Sequence, residues 1–366
     1  MMRTLAGALA LHAVSSLAWS AEPAFKFGSF ERDGKPFVGV VLRDSLVIDL
    51  AAADRALPQG ARVDPPADLK ALIARYDAAL RARILAIAAH VSASASRPAY
   101  AVDLAAVRTL APIRYPTTML NVAVNYREHG VEMAGRDPNA GAPASQPSTS
   151  APGAPPPGTT SIPGIWERKP DEARWNPYMF IKLPSAVIAA GEAIRIPPGR
   201  TQSDWECELG IVIGREARRV EVTKARDYIF GYTVENDVSD RGGRGDPRHG
   251  SDWLIAKSHD TFAPMGPFVV PSEFVADPQK LAVRFTLNGQ PMQDANTSLM
   301  VHDVYELVSY ASHITTLRPG DVIATGTPAG VGSGRKPPVF LKAGDVGVCT
   351  YEGIGTLRNP VEADSR

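Results

Sequence analysis

Residues 204–214 read DWECELGIVIG: two glutamates, one residue apart, inside a run that otherwise has the character of a buried strand. Strand side chains alternate faces, so Glu206 and Glu208 share one face while Trp205, Cys207 and Leu209 take the other. Like charges held so close are costly to bury unless a cation lies between them. A third acid is available. GYTVENDVSDR, residues 231–241, ends an apolar run with Asp237, and 237 − 208 = 29 residues leaves room for a returning strand. Three carboxylate oxygens completed by water suit Mg²⁺, Mn²⁺ or Ca²⁺. A solvent-facing strand edge whose acids pair with Arg or Lys is the competing reading of the same residues. No Cys/His spacing suggests structural zinc.

Working outward, short apolar runs alternate with turns from Tyr178 onward: YMFIKL, CELGIVIG, YIFGYTVENDV, LAVRFTLNG, DVIATG and DVGVCTYEGIG. This pattern predicts a mostly β catalytic domain, barrel-like or sandwich-like, with one clear helix in MVHDVYELVSYASHI. Upstream, residues 25–50 read as short strands joined at Asp33-Gly34. DLKALIARYDAALRARILAIAAHV then carries Leu69, Leu72, Ile73, Tyr76, Leu80, Ile84 and Ile87 at helical spacing. The expected class is α+β, predominantly β, with a small N-terminal α/β domain over 21–110 and a catalytic domain over 111–366. Residues 134–164 are rich in Pro, Ala, Ser and Gly without apolar periodicity, and predict a mobile insertion in that domain.

The 366 residues carry 39 Lys+Arg and 39 Asp+Glu, so no bulk charge draws the chain to nucleic acid or an anionic membrane. No phosphate-binding glycine fingerprint follows a strand. At the amino terminus Arg3 precedes an apolar run, and Ala18 and Ser20 are small residues before Ala21. That layout predicts a signal peptide over 1–20 and a periplasmic or secreted protein, with the cytoplasm as the alternative. The run is too short to span a membrane, so none is expected as a partner after cleavage. Cys207 and Cys349 both lie in apolar strand-like runs. A single bridge between them is compatible with the sequence, but such surroundings favour two buried free thiols.

From Tyr115 to Val361 the chain resembles the fumarylacetoacetate hydrolase family. The resemblance rests on NYREHGVEM, PYMFIKLPSAVI, DWECELGIVIG, GYTVENDVSDR, AKSHDTFAPMGPFVV, LNGQPMQDANTSLMVHDVYELVSYAS, TLRPGDVIATGTPAGVG and LKAGDVGVCTYEGIGTLRNPV, in that order. It implies a mixed β-roll catalytic domain, a homodimer, and a Mg²⁺ or Mn²⁺ site on Glu206, Glu208 and Asp237. In NYREHGVEM it implies a catalytic His129–Glu132 pair over the metal. A spacing of three puts both on one helical face, where Glu132 can orient His129 to take a proton from water. Lys257 in AKSHD resembles a lysine that stabilises enolate charge. Tyr126, Lys182, Arg241 and Thr327 are the matching candidates for contact with a small oxo acid substrate.

One departure concerns the segment after SDR, where many relatives carry an acid and a glutamine. Here Arg241, Arg244 and Arg248 follow one another closely, which would favour an anionic group. The expected reaction is hydrolysis of a carbon–carbon bond in a 1,3-dicarbonyl or acylpyruvate-type 2-oxo acid. Decarboxylation, isomerisation and ureidoglycolate cleavage use much the same residues. An exported binding protein without catalysis and a structural Ca²⁺ site are the non-enzymatic alternatives.

Overall fold

The computed structural model describes residues 24–57, 60–134, 176–242 and 252–365. The leader-like residues 1–20, the Pro-rich stretch beyond Ala134, and Arg244 and Arg248 lie outside them. The strands Lys26–Arg32 and Lys35–Leu42 form a hairpin closed by Asp33 and Gly34, at φ of 52° and 72°. Positive φ at both central residues is what a two-residue hairpin turn needs, and Asp-Gly supplies it readily. Leu46–Asp49 adds a third strand, and helices Leu50–Ala56, Leu69–Ala74 and Ala78–Ala93 follow. The periodic stretch expected as one helical run is broken in two. Asp77 accepts a hydrogen bond from the Leu80 amide and starts a fresh helix, a cap that competes with continuing the turn before it.

These strands join a sheet of twelve. Phe27 pairs with Val269 in Ala263–Pro271, which pairs with Ile229–Asn236, and that strand pairs in turn with Cys207–Ile213. Val322–Ala324, Met119–Ala123 and the edge strand Tyr178–Ile181 complete the path. A second sheet of five strands, among them Ala282–Leu287, Val346–Tyr351 and Gly355–Ala363, packs against Cys207–Ile213. The predominantly β expectation holds. Trp205 stacks on Phe285 with ring centroids 5.3 Å apart, and Cys207, Leu209 and Ile211 enter the same core as Val283, Leu287 and Tyr351.

Cys207 and Cys349 are joined, which corrects the expectation of two free thiols. The alternation that sends Cys207 away from the glutamates sends it into the layer between the sheets. Cys349 reaches the same layer from the other side, with the two Cα atoms 5.5 Å apart.

In the N-terminal part, the Arg83 guanidinium donates to the Asp54 carboxylate at 2.7 Å and to the Asp54 and Leu57 carbonyls. Their side chains are 3% and 1% exposed. Burial alone would raise the Asp54 carboxyl, yet Arg83 and the Asp64 and Val63 amides hold it below its usual range. Replacing Arg83 with Met strands that carboxylate and should cost about 3 kcal/mol in urea unfolding, whereas Asp54→Leu/Arg83→Met should regain most of the loss. A single variant as stable as wild type would show the pair to be idle.

Candidate active site

Glu206 sits at the mouth of the strand Cys207–Ile213, Glu208 sits on it, and Asp237 follows the neighbouring strand Ile229–Asn236. Register does the positioning. Cys207 pairs with Asn236, the Asn236 side chain accepts from the Glu206 amide, and the Asp237 amide donates to the Glu206 carbonyl at 2.8 Å. One carboxylate oxygen from each of the three acids lies within 4.8 Å of the others, and all three residues are buried. This is a hard, anionic, all-oxygen donor set, which fits a divalent cation of the Mg²⁺, Mn²⁺ or Ca²⁺ kind.

The surrounding protein answers the charge. Lys257, at the end of helix Trp253–Lys257, donates from Nζ to Glu206 at 2.6 Å and to Asp237 at 2.7 Å. Lys182 donates to the Asp237 carboxylate and to the Val238 carbonyl. Arg241 bridges Glu206 and Asp204, and the Gly326 amide donates to Glu208. Burial would raise the Glu206 carboxyl, but the positive charges of Lys257 and Arg241 bring it well below its usual range. Glu208 goes the other way, raised by burial and by Asp237, Glu235 and Glu206. Burial opposes the charge on Lys257, and Asp237 and Glu206 prevail in holding its ammonium protonated.

Above these acids lies a cavity of about 210 Å³. His129 reaches its wall from helix Arg127–Ala134, with Nδ1 3.3 Å from the Glu132 carboxylate. Glu132 also accepts from the Gly330 amide, so the imidazole is tied through it to the glycine-rich loop. Glu206, Glu208, Arg241, Lys257 and Thr327 share this cavity, while Val124, Met133, Phe180 and Trp253 make it apolar on one side. The Thr327 hydroxyl also donates to the Cys207 carbonyl and accepts from Gln293, so it braces the acid-bearing strand. Two candidates stand off the wall. Lys182 is fully buried beneath Asp237, and Tyr126 is fully buried near Glu208 and Tyr351, its hydroxyl pushed above its ordinary range by burial.

The structure adds acids that the sequence reading passed over. Asp204 accepts from the Gly332 and Ser333 amides, and a Cβ at Gly332 would lie 1.9 Å from the Val339 carbonyl oxygen, so only glycine brings that loop so near. Glu235 pairs directly with Glu208 across the strands and accepts from Asn121 at 3.1 Å. Its place two residues before Asp237, on the same strand face, was the signal that could have found it. Asp240, held by His259 and Arg200, also lines the cavity, and no spacing marks that trio.

Residues 118–362 match the family described as fumarylacetoacetate (FAA) hydrolase C-terminal. The mitochondrial oxaloacetate tautomerase Fahd2a of Rattus norvegicus is 32% identical over 315 residues, covering 86% of this chain and 83% of that protein. Other curated relatives are 44% identical over 186 residues, and there the match spans only 58–59% of their length. Among solved structures, a fumarylacetoacetate hydrolase from Exiguobacterium antarcticum superposes with a TM-score of 0.67 at 30% identity, covering 93% of this chain and 100% of that one. The maleylpyruvate hydrolase of Sphingobium sp. SYK-6, solved with manganese(II) and pyruvate, gives a TM-score of 0.64 at 26% identity, with coverage of 93% and 100%.

Burial, reinforced by the charge of Asp237, pushes the Glu235 carboxyl up to about 8. A group whose pKa is raised by folding costs stability progressively as pH climbs from its unfolded value to its folded one. In the presence of chelator, the melting temperature should therefore fall between pH about 4.5 and about 8, and fall less steeply in Glu235→Gln. Identical slopes in thermal scans would remove Glu235 from that pH response.

Proposed function

The chain belongs to the fumarylacetoacetate hydrolase family, and on that premise we propose that it is a metal-dependent enzyme cleaving a carbon–carbon bond of an acylpyruvate-type 2-oxo acid by hydrolysis. The observation that carries this reading is a cavity lined by Glu206, Glu208, a carboxylate-oriented imidazole and a buried ammonium, with Asp237 buried behind it to complete the carboxylate trio. Glu206, Glu208 and Asp237 would hold the divalent cation, which supplies Lewis acidity toward the 2-oxo acid oxygens when bound. With Nδ1 engaged by Glu132, His129 takes a water proton at Nε2. The hydroxyl adds to the acyl carbonyl, and the bond from that carbon to the methylene breaks. Its electron pair passes to the methylene as an enolate of pyruvate, which gains a proton. Lys257 sets a fixed positive charge beside the acids, where that enolate charge is stabilised without rearrangement. Met133, Phe180, Trp253 and Val124 suit an apolar acyl group and exclude water from it.

A second reading is favoured by the relative from Rattus norvegicus, an oxaloacetate tautomerase that this chain resembles over most of both lengths. There His129 would move a proton between carbon and oxygen of an enol without adding water. Release of pyruvate and a carboxylic acid from an acylpyruvate, against decay of enol oxaloacetate with no product cleaved, separates the two. The leader-like residues 1–20 and the Cys207–Cys349 disulfide support export to an oxidising compartment, where such bonds persist. Fractionation that leaves the protein in the cytoplasm would refute this.

Asp237→Ala should abolish Mn²⁺ binding in isothermal titration, because it removes a charged ligand oxygen. His129→Ala should keep the metal and lose roughly 10²–10⁴-fold in turnover. Unchanged affinity in the first variant sinks the metal site; near-normal turnover in the second means another group handles the proton. A homodimer is the assembly this reading includes. The edge strand Tyr178–Ile181 leaves Ile181 66% and Tyr178 53% exposed, near the 60% exposed Leu254 on the adjoining helix, and such an edge invites a partner. Ile181→Glu should sediment as a monomer where the wild type does not, and a monomeric wild type would exclude the dimer.

A further inference from the structure

Cys207 stands between Glu206 and Glu208, and its side chain is the one covalent tie from that segment to the second sheet among the described residues. The tie is part of a ladder. Trp205 stacks on Phe285, and Phe285 is the strand partner of Cys349, so stacked rings and disulfide form neighbouring rungs between the two sheets. The backbone of residue 207 is held as well. Its amide donates to Gln293, and its carbonyl accepts from Thr327 at 3.1 Å and Tyr351 at 3.4 Å. Everything that fixes the height of this tripeptide above the core acts through residue 207 or its neighbours, and the glutamates have opposite demands: they repel one another and Asp237.

We propose that the Cys207–Cys349 disulfide is a positioning cross-link for the acidic site, holding Glu206 and Glu208 where they converge with Asp237, so that the oxidised protein binds a divalent cation more tightly than the reduced one. This rests on the metal reading of that site. The cross-link bears on the cation through two carboxylates it does not touch, as outer partners of metal ligands do. Reduction by a dithiol breaks the S–S bond to two thiols with two electrons and two protons, closing the dithiol to a cyclic disulfide. Oxidised glutathione reverses it, leaving two reduced glutathiones.

The test uses the full chain in four forms: untreated, reduced with dithiothreitol in mild urea and returned to buffer, re-oxidised with glutathione disulfide, and Cys207→Val/Cys349→Val. Mn²⁺ titration should show affinity lower by about 10–100-fold in the reduced and valine forms and recovered on re-oxidation. A cross-link that served folding alone would lower the melting temperature and leave the affinity equal, and equal affinity overturns the proposal. Two titratable thiols in the untreated, unfolded protein overturn it outright. Hydrogen exchange without cation separates this from failure of the metal reading. If no form binds Mn²⁺, faster exchange confined to residues 205–209 and 346–351 after reduction still upholds the clamp, and unchanged exchange there overturns it.

Discussion

Three carboxylates pressed together out of water are the constraint around which the rest of the molecule is arranged. Two unit charges 4 Å apart repel by about 4 kcal/mol at an effective dielectric near 20, and one oxygen from each of Glu206, Glu208 and Asp237 lies within 4.8 Å of the others. Neither the acids nor the buried lysines and arginine around them would be tolerable alone. Lys257 is held by Glu206 and Asp237, Lys182 by Asp237 and Arg241 by Glu206 and Asp204, so each charge is the condition for burying another. The Lys257 helix is in turn started by Asp252, whose side chain accepts from the Leu254 and Ile255 amides. A site built this way resists drift, since moving one group leaves several others unmatched in a medium that screens poorly.

The cavity divides its labour along the same line. Its charged floor comes from the centre of the large sheet, where neighbouring strands fix side chains by register. Its apolar wall comes from the edge strand and two short helices, where Phe180 and Trp253 pack with ring centroids 4.7 Å apart. Floor chemistry is therefore set by backbone pairing, whereas the wall can be altered by substitution without disturbing a central strand. Hydrolases and tautomerases on one scaffold are what that separation permits.

Periodicity made part of this legible. The alternation around Glu206 and Glu208, the Asp33-Gly34 turn and the spacing of His129 and Glu132 are local properties, and each appears in the structure as the sequence implied. What periodicity reports is which face a side chain takes, not how far that face lies from an element a hundred residues away. Asp237 is a candidate on spacing and is set beside the glutamates by family resemblance, and the Cys207–Cys349 bond, spanning 142 residues, is compatible with the sequence but is not the reading that two apolar strand-like runs favour. Nothing local marks Asp54 and Arg83 as a buried pair, since a buried and a solvated ion pair read alike in sequence. Lys182 and Tyr126 are the sequence's candidates for substrate contact, yet both are fully buried and neither lines the cavity.

The sheet order carries a consequence for biogenesis. Val322–Ala324 lies between Met119–Ala123 and Cys207–Ile213, so a strand from the last part of the chain is wedged between two made much earlier. The Thr118 amide and its Asp321 acceptor are 203 residues apart. Glu208 and Glu132 also wait on amides from the same late region, those of Gly326 and Gly330. On a ribosome, Glu208 and Glu132 emerge well before the amides that receive them, and pairings this remote in sequence form slowly. The strand and amides that complete the acidic centre are therefore among the last parts of it to be made, so the finished centre belongs to the end of folding rather than to its nucleus.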